Sequence, residues 1–164
     1  MLKGVIAMKT HVWPAYVKWV LLTEGTGVLA GWLIRDGVRL YQRAVLQPPL
    51  SPPGWVFPVV WAVLYALLGA GAARIALAPA SPNRSRGLRL FWVQLGFHFC
   101  WPLLFFRLQL FGAALVWLAL LWVLILQMTL AFRRVDPLAA RLQLPYLLWT
   151  AFAGYLNAGV WLLN

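Results

Sequence analysis

The chain predicts an all-α membrane protein, a bundle of five transmembrane helices, and three observations carry that prediction. Hydrophobic residues make up 63% of its 164 residues and charged residues 10%, where a soluble domain has about 25% charged. The mean hydropathy is +0.80. The apolar residues gather into five runs, near 14–34, 54–77, 90–106, 113–132 and 142–162, each close to the roughly 20 residues that cross a bilayer core. By length, 1–164 is one domain.

In order along the chain, 1–13 reads as a short basic tail with Lys3, Lys9 and His11. A signal peptide is not expected, because the apolar run that follows contains Glu24 and no small-residue cleavage site before Ile34. The first span holds Gly27 and Gly31, a small-xxx-small pair that suits close helix contact. A polar link follows (Arg35, Asp36, Arg39, Tyr41, Gln42, Arg43), and its apolar positions Val38, Leu40, Val45 and Leu46 predict a short interfacial helix or lid. Four prolines in 48–53 then form a stiff elbow, since proline fixes φ and lacks an amide donor. Gly54-Trp55 opens the second span, in which Trp61 and Tyr65, at i and i+4, share a face. The stretch 78–89 (APASPNRSRGLR) reads as a loop. The third span carries Gln94, His98, Trp101 and Pro102, and a tight turn over 107–112 makes spans three and four antiparallel neighbours. Arg133, Arg134, Asp136, Pro137 and Arg141 mark the interface before the fifth span, which holds Pro145, Tyr146, Trp149, Tyr155, Asn157 and Trp161.

The net charge of +11 does not indicate nucleic acid, because the basic residues lie between apolar runs instead of forming one face. Ten of them (Lys3, Lys9, Lys18, Arg74, Arg84, Arg86, Arg89, Arg133, Arg134, Arg141) fall on one side and four (Arg35, Arg39, Arg43, Arg107) on the other. That asymmetry predicts a cytoplasmic amino terminus. Helical spans with a basic cytoplasmic side favour a bacterial inner membrane. One cysteine, two histidines and three acidic residues, all scattered, give no metal-ligand spacing, no internal disulfide and no hydrolytic constellation.

Polar groups within a bilayer each need a partner or a task. Glu24 reads first as a hydrogen-bonded carboxyl at a helix contact. Gln94 and His98, four apart with Trp101 and Phe105 nearby, read either as interhelical hydrogen bonds or as polar groups of an aromatic pocket. Of the eleven tryptophans, Trp13, Trp19, Trp32, Trp55 and Trp161 suit interfacial belts, whereas Trp61, Trp101, Trp117, Trp122 and Trp149 lie deeper. If Trp149 faces Trp61 and Tyr65, the bundle encloses a slot for a planar macrocycle. For Trp117 and Trp122, which lack polar neighbours, a lipid-facing or simply packed side chain stands even with a place in that slot.

Three motifs in order resemble the TspO/MBR family (tryptophan-rich sensory proteins, translocator proteins, peripheral benzodiazepine receptors). They are PPLSPPGWVFPVVWAVLY at 48–65, QLGFHFCWPLLFF at 94–106 and PYLLWTAFAGYLNAGVWLLN at 145–164. The resemblance covers 37–164 and implies a homodimeric five-helix bundle that binds porphyrins, haem and other planar hydrophobic ligands in the bilayer. It implies Trp61 and Trp149 as candidate catalytic tryptophans for light-dependent protoporphyrin degradation, and Tyr65, Phe105 and Ala153 as cavity wall. Together with the polar candidates, the ligand-contacting set is Trp55, Trp61, Tyr65, Gln94, His98, Trp101, Phe105, Trp149, Ala153 and Asn157. No cofactor is required; porphyrin or haem enters as ligand. His98 stands where the family usually has asparagine, and a histidine adds a ring nitrogen able to ligate haem iron. Gln47 and Leu50 replace the elbow's usual lysine and tryptophan. No basic residue follows Tyr155 in the sterol-type pattern. The expected function is a tetrapyrrole-binding sensor or translocator, with a photo-oxidative enzyme and a transporter as alternatives. The transporter ranks last, since no inverted repeat is visible.

Overall fold

The structure, a computed structural model, describes residues 2–164, with side chains described from Val12 onward. Lys3 and Lys9, which enter the charge count above, and His11 lie outside the described side chains. Six helices follow one another: α1 (Leu2–Ala44), α2 (Val56–Leu77), α3 (Pro82–Pro102), α4 (Phe111–Arg133), α5 (Pro137–Arg141) and α6 (Leu144–Leu163). A π-helical turn, Leu103–Arg107, continues α3. With α5 leading into α6, five helical segments among the described residues are long and apolar enough to cross a membrane, as expected. Helix α1 packs on α2 and α3, α4 packs on α3 and α6, and α2 meets α6 along a sparse seam. The apolar centre is made where Leu68 and Ile75 of α2 and Phe91 of α3 meet Leu121, Ile125 and Phe132 of α4.

Three boundaries differ from the sequence reading, the first being the start of α1, which begins at Leu2 and not near residue 14. The link after Ile34 is not a separate interfacial helix; α1 runs unbroken to Ala44 and takes Pro14 into its interior. Nothing between Arg35 and Ala44 stops a helix, and the extension has packing to hold it. Gly37 lies against the Phe106 carbonyl, and Tyr41 packs on Phe105 and Phe106 at 5.5 and 5.2 Å. Nor is 78–89 all loop. Ser81 caps α3 by accepting from the Arg84 amide at 3.1 Å, and Pro82 opens its first turn, a Ser-Pro start in which proline's missing donor costs nothing. Arg84 also donates to the Ile75 and Ala76 carbonyls at 3.2 and 2.9 Å, satisfying acceptors left open at the end of α2.

The elbow is tied down from α6. The Asn164 side chain accepts from the Leu46 amide and donates to the Leu46 carbonyl, both at 3.0 Å. Tyr155 donates its hydroxyl proton to the Pro49 carbonyl at 3.0 Å, and Gly159 lets Pro48 rest on the α6 backbone. The turn itself puts Leu50 at φ 65°, a left-handed conformation costing a leucine about 1–2 kcal/mol. Trp117 and Trp122 are half-buried and pack between helices. Their indoles donate to the Phe97 and Leu147 carbonyls at 2.8 and 3.1 Å, tying α4 to α3 and α6.

Candidate ligand-binding cavity

Between α1, α2, α3 and α6, beneath the elbow, lies a cavity of about 690 Å³, within the 300–1,000 Å³ of small-molecule sites. Each wall follows from helical spacing. On α2, Trp61 and Tyr65 stand one turn apart with rings 5.9 Å from each other. On α6, Trp149, Ala153 and Asn157 recur every four residues and share one stripe. On α3, His98 and Trp101 line the cavity, and the π turn brings in Phe105, which is buried. Pro102 leads into that turn, a geometry that re-aims the side chains after it.

The aromatic groups meet edge to face. The Trp61 ring lies 4.7 Å from His98 at 69° and 6.4 Å from Trp149 at 89°, the arrangement favoured by ring quadrupoles. Asn157 accepts from the Trp101 indole at 3.2 Å and donates to the Phe111 carbonyl at 2.8 Å, joining α3, α6 and α4 beside the cavity. The Trp149 indole nitrogen is buried without a partner.

Behind His98 sits a three-residue polar chain. The Tyr146 hydroxyl is 3.0 Å from Gln94 Oε1 and 2.8 Å from His98 Nδ1, while Gln94 Nε2 has no partner. A hydroxyl has one proton to give. Given to Gln94, it requires His98 Nδ1–H to donate to the phenol oxygen, so the imidazole lone pair lies on Nε2. With the Gln94 amide turned over, the phenol proton goes to Nδ1 and Nε2 carries the hydrogen. The network therefore lets His98 act at Nε2 as acceptor or as donor.

Of the ten ligand-contacting candidates, Trp61, Tyr65, His98, Trp101, Phe105, Trp149, Ala153 and Asn157 line this cavity. Two do not. Trp55 precedes the first residue of α2 and is 70% exposed, and Phe57 takes the inward place. Gln94 is fully buried behind Tyr146 and acts only through it. The sequence reading missed the α1 wall: Glu24, Val28, Gly31, Arg35, Arg39 and Gln42. Their recurrence at three- and four-residue steps was the available signal, obscured by ending the first helix at Ile34. Glu24 thus faces the cavity instead of a helix contact. The glycine pair divides as well. Gly27 takes the Tyr65 ring against its backbone, while Gly31 meets nothing within 4 Å. Helix α2 crosses α1 tightly at Gly69, where a Cβ would stand 2.7 Å from Val20 Cα and from Thr23 Oγ1.

A sequence profile of the TspO/MBR family matches residues 19–162. The chain is 38% identical to the tryptophan-rich protein TspO of Chlorobaculum tepidum over 76% of its own length and 79% of that protein. It is 36% identical to the translocator protein of Bos taurus, over 91% and 89% of the two chains. It is also 36% identical to the protein CrtK of Rhodobacter capsulatus, over 72% and 74%. The chain belongs to the TspO/MBR family. It is an integral membrane protein of that family, and the match spans every described wall of the cavity, from Glu24 on α1 to Asn157 on α6.

Proposed function

We propose that the protein binds a tetrapyrrole, porphyrin or haem, in this cavity and acts as a sensor or translocator in its handling. The observation that carries the reading is the cavity's size together with flat aromatic walls on three helices, Trp61 and Tyr65, Trp101 and Phe105, and Trp149. The kinship with proteins named translocator protein and tryptophan-rich sensory protein supports the role. The test is tryptophan-fluorescence quenching by protoporphyrin IX in detergent. Saturable quenching weakened about tenfold or less in Trp61→Phe and Trp149→Phe is expected, since one aromatic contact contributes about 0.5–1.5 kcal/mol. Equal, non-saturating quenching in all three proteins sinks the proposal.

Haem is included because His98 supplies a ring nitrogen and Tyr146 engages the other one. With its lone pair on Nε2, the imidazole is the form that ligates iron. A Soret band of bound haem that shifts in His98→Ala supports ligation; an unchanged band removes it. The enzymatic alternative, light-dependent porphyrin degradation, is favoured by the perpendicular Trp61–Trp149 pair. Illumination should bleach bound protoporphyrin over many turnovers, and not in the double Trp→Phe variant. The proposal places the amino terminus in the cytoplasm of a bacterial inner-membrane protein, with the elbow on the opposite side, and takes the working unit as a homodimer.

A further inference from the structure

The end of the bundle away from the elbow carries positive charge that the chain itself does not answer. We propose that the outer seam of α3 and α4 at this end binds an anionic phospholipid with two phosphates on one headgroup. Arg86 and Arg89 at the start of α3 meet one phosphate, and Arg133 and Arg134 at the end of α4 meet the other. None of the four lines the cavity, so the site is independent of what the cavity holds. The sequence has three acidic residues, and each is placed elsewhere. Glu24 lines the cavity, Asp36 lies between Arg35 and Arg39, and Asp136 is held by Arg74 at 2.7 Å. Arg84 is engaged by the Ile75 and Ala76 carbonyls. Arg86, Arg89, Arg133 and Arg134 are exposed, and none of them has an ion-pair partner among the described residues.

The two helix ends that bear these arginines touch. A Cβ on Gly87 would stand 3.1 Å from the Phe132 ring, and Arg86 and Arg133 are the sequence neighbours of that contact. Both helices turn their buried residues inward, Phe91 on α3 and Leu121, Ile125 and Phe132 on α4, and so expose a common outer side. Helical spacing sets an exposed apolar residue beneath each arginine pair on that side. Val93 follows Arg89 by four and Arg86 by seven, and Leu130 precedes Arg133 by three and Arg134 by four. Cations at the helix ends with apolar surface toward the bilayer centre match a headgroup above its acyl chains. Basic sites between helix ends bind such headgroups. All four positions are arginine and none is lysine, and a guanidinium grips phosphate bidentately. A headgroup with one phosphate leaves the second pair unanswered, with like charges still repelling across the seam. The elbow end differs, because Asp36 already stands between its arginines.

The test is native mass spectrometry of the full chain in dodecyl maltoside, a neutral detergent. It reads the lipid retained as tetraoleoyl cardiolipin, dioleoylphosphatidylglycerol or dioleoylphosphatidylcholine is titrated in. Wild type should hold a single cardiolipin about tenfold or more tighter than phosphatidylglycerol, since joining two phosphates makes the second contact intramolecular. Phosphatidylcholine should be held least. Arg134→Gln should weaken cardiolipin about fivefold, the scale of one basic residue at an anionic headgroup. Changing all four arginines to glutamine should abolish the preference, and four lysines should fall between, keeping charge without the fork. Arg35→Gln/Arg39→Gln/Arg43→Gln, at the elbow end, should retain cardiolipin as wild type does. Unfolding midpoints without lipid check that each variant folds, and these exposed side chains have no ion pair within the described chain to lose. Cardiolipin retention that survives the four glutamines overturns the proposal. So does an equal loss in the elbow-end variant, or phosphatidylglycerol held as tightly as cardiolipin. Sodium pyrophosphate that displaces cardiolipin at equal phosphate would make the ligand a free anion and overturn the lipid assignment.

Discussion

Tyr146 holds the polar side of the cavity together with one hydroxyl. It is the partner of both Gln94 and His98, all three of them buried, so removing it strands two polar groups at once. Tyr146→Phe should destabilise the protein by about 1–3 kcal/mol, read as thermal unfolding in detergent; an unchanged midpoint contradicts the network. At this scale the site was legible wherever helical spacing alone decides. Trp61 with Tyr65, and Trp149 with Ala153 and Asn157, lie four apart, and that spacing makes a face whatever the helix ends do. The same spacing excludes Trp55. At about 100° per residue, Phe57, four before Trp61, shares its inward face, while Trp55, six before it, is turned about 120° away. His98's neighbours in sequence predicted the pocket, but its partner Tyr146 comes from another helix, and pairing across helices has no local signature.

The helices owe their arrangement to a few close approaches. A Cβ on Gly69 would stand 2.7 Å from Val20 Cα, and Thr23 donates to the Tyr65 carbonyl at 2.8 Å. A Gly69→Val substitution drives a side chain into the α1 backbone, and a loss of about 1–3 kcal/mol or more is expected; the same change at Gly31, which meets nothing, should cost far less. Comparing the two unfolding midpoints tests the crossing. The elbow is held through Asn164, Tyr155 and Gly159. In Asn164→Ala/Tyr155→Phe, amide hydrogen exchange over 45–53 should speed up while exchange in α4 stays as it was. Uniform exchange in both proteins would show that the α6 contacts do not restrain the elbow. Five spans could be read from apolar run length, but the ends of α1 and α3 could not. Charge in Arg35–Arg43 and proline, serine and arginine in 81–89 look like interface or loop in composition, while Tyr41 packing and the Ser81 cap make them helix.

Over the whole molecule, the end away from the elbow is clamped by one ion pair and the other end carries the cavity mouth. Arg74 meets Asp136 at 2.7 Å, joining the last turn of α2 to the cap of α5. Burial works to raise the Asp136 carboxyl, but the Arg74 hydrogen bond and the Ala139 and Leu138 amides outweigh it and hold the group below its ordinary value of 3.8. A carboxyl depressed in the folded state stabilises fully above its unfolded value, and the contribution is lost as pH falls through the folded one. Acid sensitivity should therefore begin below about pH 4, and Asp136→Asn should lower stability at neutral pH while flattening that acid limb; a parallel loss at every pH would contradict it. The membrane setting and bundle were written in composition. The enclosed volume was not, because it arises where four helices and the elbow meet. Ala153 is the small residue in that volume's wall, 7% exposed on the Trp149–Asn157 stripe. The most direct test is an equilibrium titration with protoporphyrin IX of wild type against Ala153→Phe, with unfolding midpoints confirming that both are folded. If the cavity is the binding site, wild type saturates at one ligand per chain and the filled variant loses saturable binding. The same saturation curve in both folded proteins would place the ligand elsewhere.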